Sequence, residues 1–360
     1  MGVVLLVGGA GYVGSVLANE LIERGQRVRI LDRLYFGEQG LAAIRDRVEL
    51  VVGDMRTLDP AVLDDVESIV NVGGLSNDPT AEYNPKANYE MNTTATVSLA
   101  KMAKKAGVRR YILASSCSIY DRGVGDETRD VLLDETSDVD PPGAYGGSKL
   151  AAEAEILPLA SDGFCAVAMR KATLFGFSPR MRYDLVVNTF VKDALLTGTI
   201  NLHYGGEMWR PLADVRDAAR AYHALLRADQ SKISGQVFNL VYRNYRISEL
   251  ALRVRGALRK LGVDCDINTD YGYKGVRNYR VSGQKLVDTV KFEPDLSVED
   301  AVKDILEGIE RLKYTDFGNP RYYNIQWMRL LEEAQTVIQV TGGVFEIAGG
   351  PAAKSRPERS

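Results

Sequence analysis

The chain opens on a continuous apolar run, Val3 to Val7, breaks at a cluster of glycines, and resumes as VLANELIERG, whose apolar positions recur at helical spacing before RVRILD. That order predicts strand, glycine turn, helix, strand: a βαβ unit. The pattern repeats. VELVVGD and SIVNVGG read as strands, ATVSLAKMAKKAG as a helix, RRYILASS as a strand, SKLAAEAEILPLASDG as a helix that Pro158 kinks or ends, and FCAVAMRKATLFG as one further strand. Apolar strands alternating with helices predict an α/β fold, a Rossmann-type doubly wound parallel sheet covered on both faces.

The regularity loosens after residue 176. MRYDLVVNTFVKDALLTG, ISELALRVRGALRKLG and SVEDAVKDILEGIERLK read as helices, the last with a Ser cap, and VFNLV as a late strand. These pieces predict a smaller mixed α/β substrate-binding lobe over 177–313, with some chain returning to the sheet of 1–176. The segment 314–348 is an aromatic, partly apolar extension suited to cover the active site, extend a dimer or pack on the body; 349–360 is read as a disordered tail.

With 360 residues, 45% of them hydrophobic, a large core is affordable. A net charge of −3, from 45 basic and 48 acidic residues, implies no basic field and no nucleic-acid partner. Cys117, Cys165 and Cys265 lack CxxC spacing, and with only His203 and His223 beside them the expectation is no disulfide framework and no metal site. No run approaches transmembrane length and the N-terminal start lacks a basic leader, so a cytoplasmic protein without a membrane partner is expected.

Gly8, Gly11 and Gly14 stand in GxxGxxG spacing between the first strand and the first helix. Missing side chains there permit a tight turn, close approach of a pyrophosphate, and an exposed helix N-terminus facing it. Asp32 ends the second strand and is placed to accept both ribose hydroxyls of an adenosine. It would repel a 2′-phosphate, which favours NAD over NADP, with Arg33 next door keeping NADP as the alternative. Asp54, after VVG, can accept the adenine amino group; Val72, Gly73 and Gly74 are small residues that leave room for a cofactor.

YGGSK places Tyr145 and Lys149 four apart, on one face if a helix starts there. A neighbouring ammonium and a positive nicotinamide ring favour the phenolate, which can then take a hydroxyl proton while hydride leaves the same carbon. ASSCSIYD follows a strand at the ligand-binding carboxyl edge. Spacing alone does not choose among its serines. No GxSxG elbow surrounds them, so a nucleophilic serine triad is not indicated.

GGAGYVG, Asp32, Gly53-Asp54, SSCSIY, YGGSK, RKATLFG, Asn188, WRPLADVRDAARA and FNL together resemble extended short-chain dehydrogenase/reductases of the sugar-nucleotide epimerase/dehydratase family, over about residues 1–310. The resemblance implies tightly held NAD, a nucleotide-diphosphate sugar as substrate, a sugar-nucleotide lobe and a homodimer. It assigns catalysis to Ser116, Tyr145 and Lys149. The cofactor side becomes Gly8, Gly11, Tyr12, Val13, Gly14, Asp32, Asp54, Met55, Val72, Gly73, Gly74, Asn92 and Lys149. The substrate side becomes Ser76, beside Leu75, with Ser116, Cys117, Tyr145, Thr173, Asn188, Arg210 and Arg277, Arg280 being an alternative to the last. Thr173 stands where the family often has asparagine. Cys117 and Ser118 stand where 4,6-dehydratases carry Asp then Glu, so dehydration is not expected. The catalytic cysteine of related 3,5-epimerases falls on Ser118 rather than Cys117. What is left is carbinol–ketone chemistry. The leading expectation is a nucleotide-sugar 4-epimerase passing through a 4-keto sugar. The alternatives are a C4 dehydrogenase or ketoreductase with net redox, a member acting on a small non-nucleotide alcohol, and a non-catalytic dinucleotide sensor.

Overall fold

The computed structural model describes residues 2–121, 131–272 and 278–342. Seven parallel strands form its main sheet: β1 (Val3–Val7), β2 (Arg27–Asp32), β3 (Glu49–Val52), β4 (Val66–Asn71), β5 (Arg110–Ser116), β6 (Cys165–Lys171) and β7 (Val237–Leu240), in the order β7-β6-β5-β4-β1-β2-β3. Every residue of β1 and of β5 is buried, the signature of strands covered on both sides. Leu17 and Leu21 of helix α1 (Tyr12–Glu23) and Ala218 and Tyr222 of the helix Val215–Arg227 cover one face. Leu99 and Ala103 of the helix Thr96–Lys105, with Ala152 and Ile156 of helix α2 (Ala144–Ile156), cover the other. The order in which strands are added reverses between β1 and β4, which opens a crevice at the carboxyl edge.

Helix α2 stops at Ile156, and a 3-10 turn through Pro158 follows, because proline supplies no N–H to continue it. FCAVAMRKATLFG, expected as one strand, is two. β6 ends at Lys171, and Thr173–Phe175 pairs instead with Trp209–Asp214 in a separate three-stranded sheet. The switch carries the chain out of the main sheet into a smaller lobe. Its core is built from Phe175, Tyr183, Val187, Val191, Leu250, Val254, Val302 and Ile305. The lobe helix Val298–Leu312 starts with a full capping box between Ser297 and Asp300. The helix read from MRYDLVVNTF begins only at Val186.

The aromatic extension packs before it turns back. Tyr183 meets Phe317 and Tyr322 edge-on, at ring-centroid distances of 5.2 and 5.0 Å. Helix α3 (Asn324–Thr341) then crosses to the nucleotide end: Trp327 Nε1 donates to the Tyr35 carbonyl and the Tyr83 hydroxyl to Glu332. Among the described residues, no helix is long and apolar enough to cross a membrane.

Candidate active site

The crevice holds a cleft enclosing about 1030 Å³ of empty space, its open mouth included, lined by the glycine turn, Asp32, Asp54, Met55, Val72 to Ser76, Arg180, Arg182, Asn324 and Met328. Gly8 turns the chain at φ +78°. A Cβ on Gly14 would lie 2.1 Å from the Gly8 carbonyl oxygen, so only glycine lets α1 start this close to β1. The N-cap of α1 is Gly11, which offers no side chain to the first-turn N–H groups, and that turn has no acidic residue. Those donors are therefore available to an anion. Asp32 accepts from the Ala10 N–H at 2.9 Å and the Leu34 N–H at 2.8 Å. Burial raises its pKa against those bonds. Asp54 is engaged by Arg56 and, at 3.1 Å, by Arg33.

Gly74, at φ +128°, leaves open the space where a Cβ would meet Asn92 Oδ1 at 2.2 Å and stand 3.8 Å from Lys149 Nζ. Asn92 Oδ1 is buried and has no hydrogen-bond partner among the described residues, while its Nδ2 donates to the Leu75 carbonyl. A buried acceptor left open beside a side-chain-free wall fits a bound donor. The uncapped helix, the Asp32 carboxylate at the cleft and this open acceptor together fit a dinucleotide.

Tyr145 and Lys149 sit one turn apart near the start of α2, with Lys149 Nζ 5.9 Å from the Tyr145 ring centroid. Gly146 brings this helix against the turn Cys117–Tyr120: a Cβ there would be 2.9 Å from the Ser118 carbonyl oxygen. That approach sets Tyr145 beside the end of β5. Ser116 Oγ accepts from the Ser118 N–H and donates to Ser118 Oγ, each at 3.1 Å. Burial lowers the Lys149 ammonium to about 8, with Glu153 opposing the shift.

Two residues expected on the substrate side are engaged by internal contacts. Cys117, expected on the substrate side, points into the core and donates its thiol to the Arg170 carbonyl; burial pushes its pKa well up. Asn188, expected at the substrate phosphate, is fully buried. Its amide accepts from the Gly176 N–H and donates to the Gly176 and Arg182 carbonyls, holding the chain as it leaves the short strand Thr173–Phe175. Thr173 opens the lobe's short strand, and Arg210 lies in Trp209–Asp214 with its guanidinium over the Tyr279 ring at 5.8 Å. Arg277 lies outside the described residues. Tyr120, used in the sequence to align the serines, is buried between Arg170 and Asn239.

Four residues that the sequence reading passed over join the site. Arg180 and Arg182 line the cleft, and Arg182 sits over the Tyr12 ring at 5.9 Å. Arg180 stacks on Phe36 at 3.7 Å and donates to Asn324 Oδ1 at 2.7 Å; burial, then Arg182, lowers its pKa to about 9. Asn324 also donates to Ser76 Oγ at 2.8 Å, which ties α3 to the rim. Lys171 ends β6 beside Ser116. The signal for the arginines was the unexplained PRMRYD segment. For Asn324 no local signal exists.

A doubly wound sheet with this cleft and a Ser/Tyr/Lys edge defines a dinucleotide-dependent enzyme of the extended short-chain dehydrogenase/reductase type. The model of the NAD dependent epimerase/dehydratase family matches residues 4–240, and the chain belongs to that family. It is 26% identical over 235 residues to UDP-glucuronic acid decarboxylase 1 of Xenopus tropicalis, a match covering 63% of this chain and 54% of that protein. To the UDP-N-acetyl-alpha-D-glucosaminuronate decarboxylase of Bacillus cytotoxicus it is 24% identical, over 86% of this chain and 98% of that one. UDP-glucuronic acid 4-epimerase from Bacillus cereus, solved with UDP-glucuronic acid and NAD, shares the fold at a TM-score of 0.74 and 19% identity, over 86% of this chain and 99% of that one.

Gly14→Ala is expected to leave the purified protein nearly free of NAD, because the new methyl meets the Gly8 carbonyl and displaces α1 from the phosphates. Absorbance of the supernatant after denaturation reads the bound dinucleotide.

Proposed function

We propose that the protein is an NAD-dependent nucleotide-sugar 4-epimerase. The observation that carries this reading is the set Ser116, Tyr145 and Lys149 at the edge of β5 and the start of α2, followed by a turn, Cys117–Tyr120, without a carboxylate. Such a site can move one proton from a carbinol oxygen but has no acid–base pair there to eliminate water. The UDP-sugar enzymes among its relatives supply the substrate class. NAD, when bound, accepts and returns the hydride. Tyr145 takes the C4 hydroxyl proton and gives it back, and Ser116 orients that hydroxyl. Lys149 holds the phenolate form by its charge. Arg210 is the proposed diphosphate partner from the lobe. A homodimer belongs to the same proposal, and sedimentation measures it.

The test is to identify ligands released on denaturation by mass spectrometry, then to incubate the holoenzyme with a panel of nucleotide sugars. A product epimeric at C4 with no net NADH supports the proposal. Stoichiometric NADH release or consumption replaces it with the dehydrogenase reading.

Tight NAD retention is assigned here partly to α3. Asn324→Ala removes the bonds to Arg180 and Ser76, and NAD is expected to leave about tenfold faster, the loss of roughly one net hydrogen bond to a charged group. Stopped-flow exchange against excess labelled NAD reads the rate.

A further inference from the structure

The cations buried at the carboxyl edge are not equally provided for. Arg170 has Glu153 as a bidentate partner, and Lys149 lies within the field of the same carboxylate. Lys171, the next residue in β6, has no carboxylate among the described residues. Its Nζ donates to the Ser115 carbonyl at 3.0 Å, and the charge that acts on it is the Lys149 ammonium. Burial first, then Lys149, brings its pKa down to about 7. A partly buried cation without a counter-charge is costly, and such perturbed groups cluster at functional sites.

The register shows what lies beside Lys171. Lys171 pairs with Ser116 across adjacent parallel strands, so the two side chains leave the sheet on the same face. Lys171 is also only half-buried by surface area, so its side chain is not sealed off from solvent. In the nucleotide-sugar reading above, on which this inference rests, Ser116 addresses the reacting carbinol of the ring. A cation beside it therefore faces the sugar itself, while the diphosphate lies at the far end of the substrate. From this placement we infer that Lys171 is a specificity-determining residue that pairs with a carboxylate carried on the sugar ring, so that the preferred substrate is a nucleotide-linked uronate rather than a neutral hexose.

The experiment measures calorimetric binding of UDP-glucuronate and UDP-glucose to NAD-loaded Tyr145→Phe protein, whose slowed turnover leaves the titration a binding measurement. The same titrations follow with Lys171→Met and Lys171→Arg added. With Lys171 present, the uronate binds at least about tenfold tighter than the hexose, and Lys171→Met weakens the uronate about ten- to a hundredfold while changing the hexose less than about threefold. Lys171→Arg restores part of the preference, which a purely structural lysine would not show. Thermal melting and NAD content confirm that each variant is folded, and the preference of the Lys171 protein stands as a test even if Lys171→Met is not. A hexose bound as tightly as the uronate, or an equal loss of both in Lys171→Met, overturns the assignment of Lys171 and leaves the nucleotide-sugar reading intact. Failure of both sugars to bind when Lys171 is present overturns that reading, and this inference with it.

Discussion

Replacing Tyr145 with Phe is expected to lower turnover of the nucleotide sugar by about 10²–10⁴-fold, the usual contribution of a positioned acid–base group. The change removes one oxygen from a side chain that is 9% exposed and leaves the ring's packing in place. The fold should therefore melt as before. NAD should still copurify, because the cleft-lining glycine turn, Asp32 and Arg180 are untouched. The loss should appear in single-turnover reduction of the bound cofactor as well as in steady state, since the proposed mechanism takes the proton in its first half. Undiminished single-turnover reduction in Tyr145→Phe would exclude Tyr145 as the base.

Glu153→Ala is expected to cost about 3–5 kcal/mol of stability, the range for stripping one partner from a buried ion pair. Glu153 and Arg170 side chains are 3% and 6% exposed, and the guanidinium holds the carboxylate through Nε at 3.0 Å and Nη2 at 2.6 Å. Alanine leaves Arg170 charged and buried, with the Tyr120 hydroxyl at 2.8 Å as its remaining side-chain partner. Urea unfolding of the holoenzyme reads the loss. A double variant, Glu153→Leu with Arg170→Met, should recover much of it, because the cost lies in the orphaned charge more than in the lost bond. Glu153 also supports the Lys149 ammonium from one turn along α2. Removing that negative charge lowers the Lys149 pKa further below about 8, so the pH at which Lys149 deprotonates should fall.

The nucleotide end was legible because its signal is local. Val3–Val7, the glycine spacing and Asp32 lie in one βαβ unit, where each residue's place follows from its neighbours in the chain. Tyr145 and Lys149 were legible for the same reason: one helix puts them on one face. ASSCSIYD ends a strand at the carboxyl edge as its pattern predicts, but its periodicity did not say which of its polar groups turn inward. Packing did, by turning Cys117 inward under Arg170.

FCAVAMRKATLFG shows the limit most clearly. Its apolar pattern is continuous, and the break at Ala172 comes from what the two halves pair with: β7 and β5 on one side, Trp209–Asp214 on the other. Asn188 has the right residue type for a phosphate contact, yet the exit of the chain at Gly176 uses its whole amide. The helix that borders the cleft begins at Asn324, 144 residues beyond the arginine it holds. The sequence by itself thus determined the parallel sheet, the dinucleotide turn and the Tyr–Lys pair, since helix and strand periodicity and glycine sterics act over a few residues. Only the tertiary structure decided which buried cations have carboxylates, which backbone groups Asn188 holds and which helix borders the cleft. Those depend on partners that the chain brings together only when its two cores close.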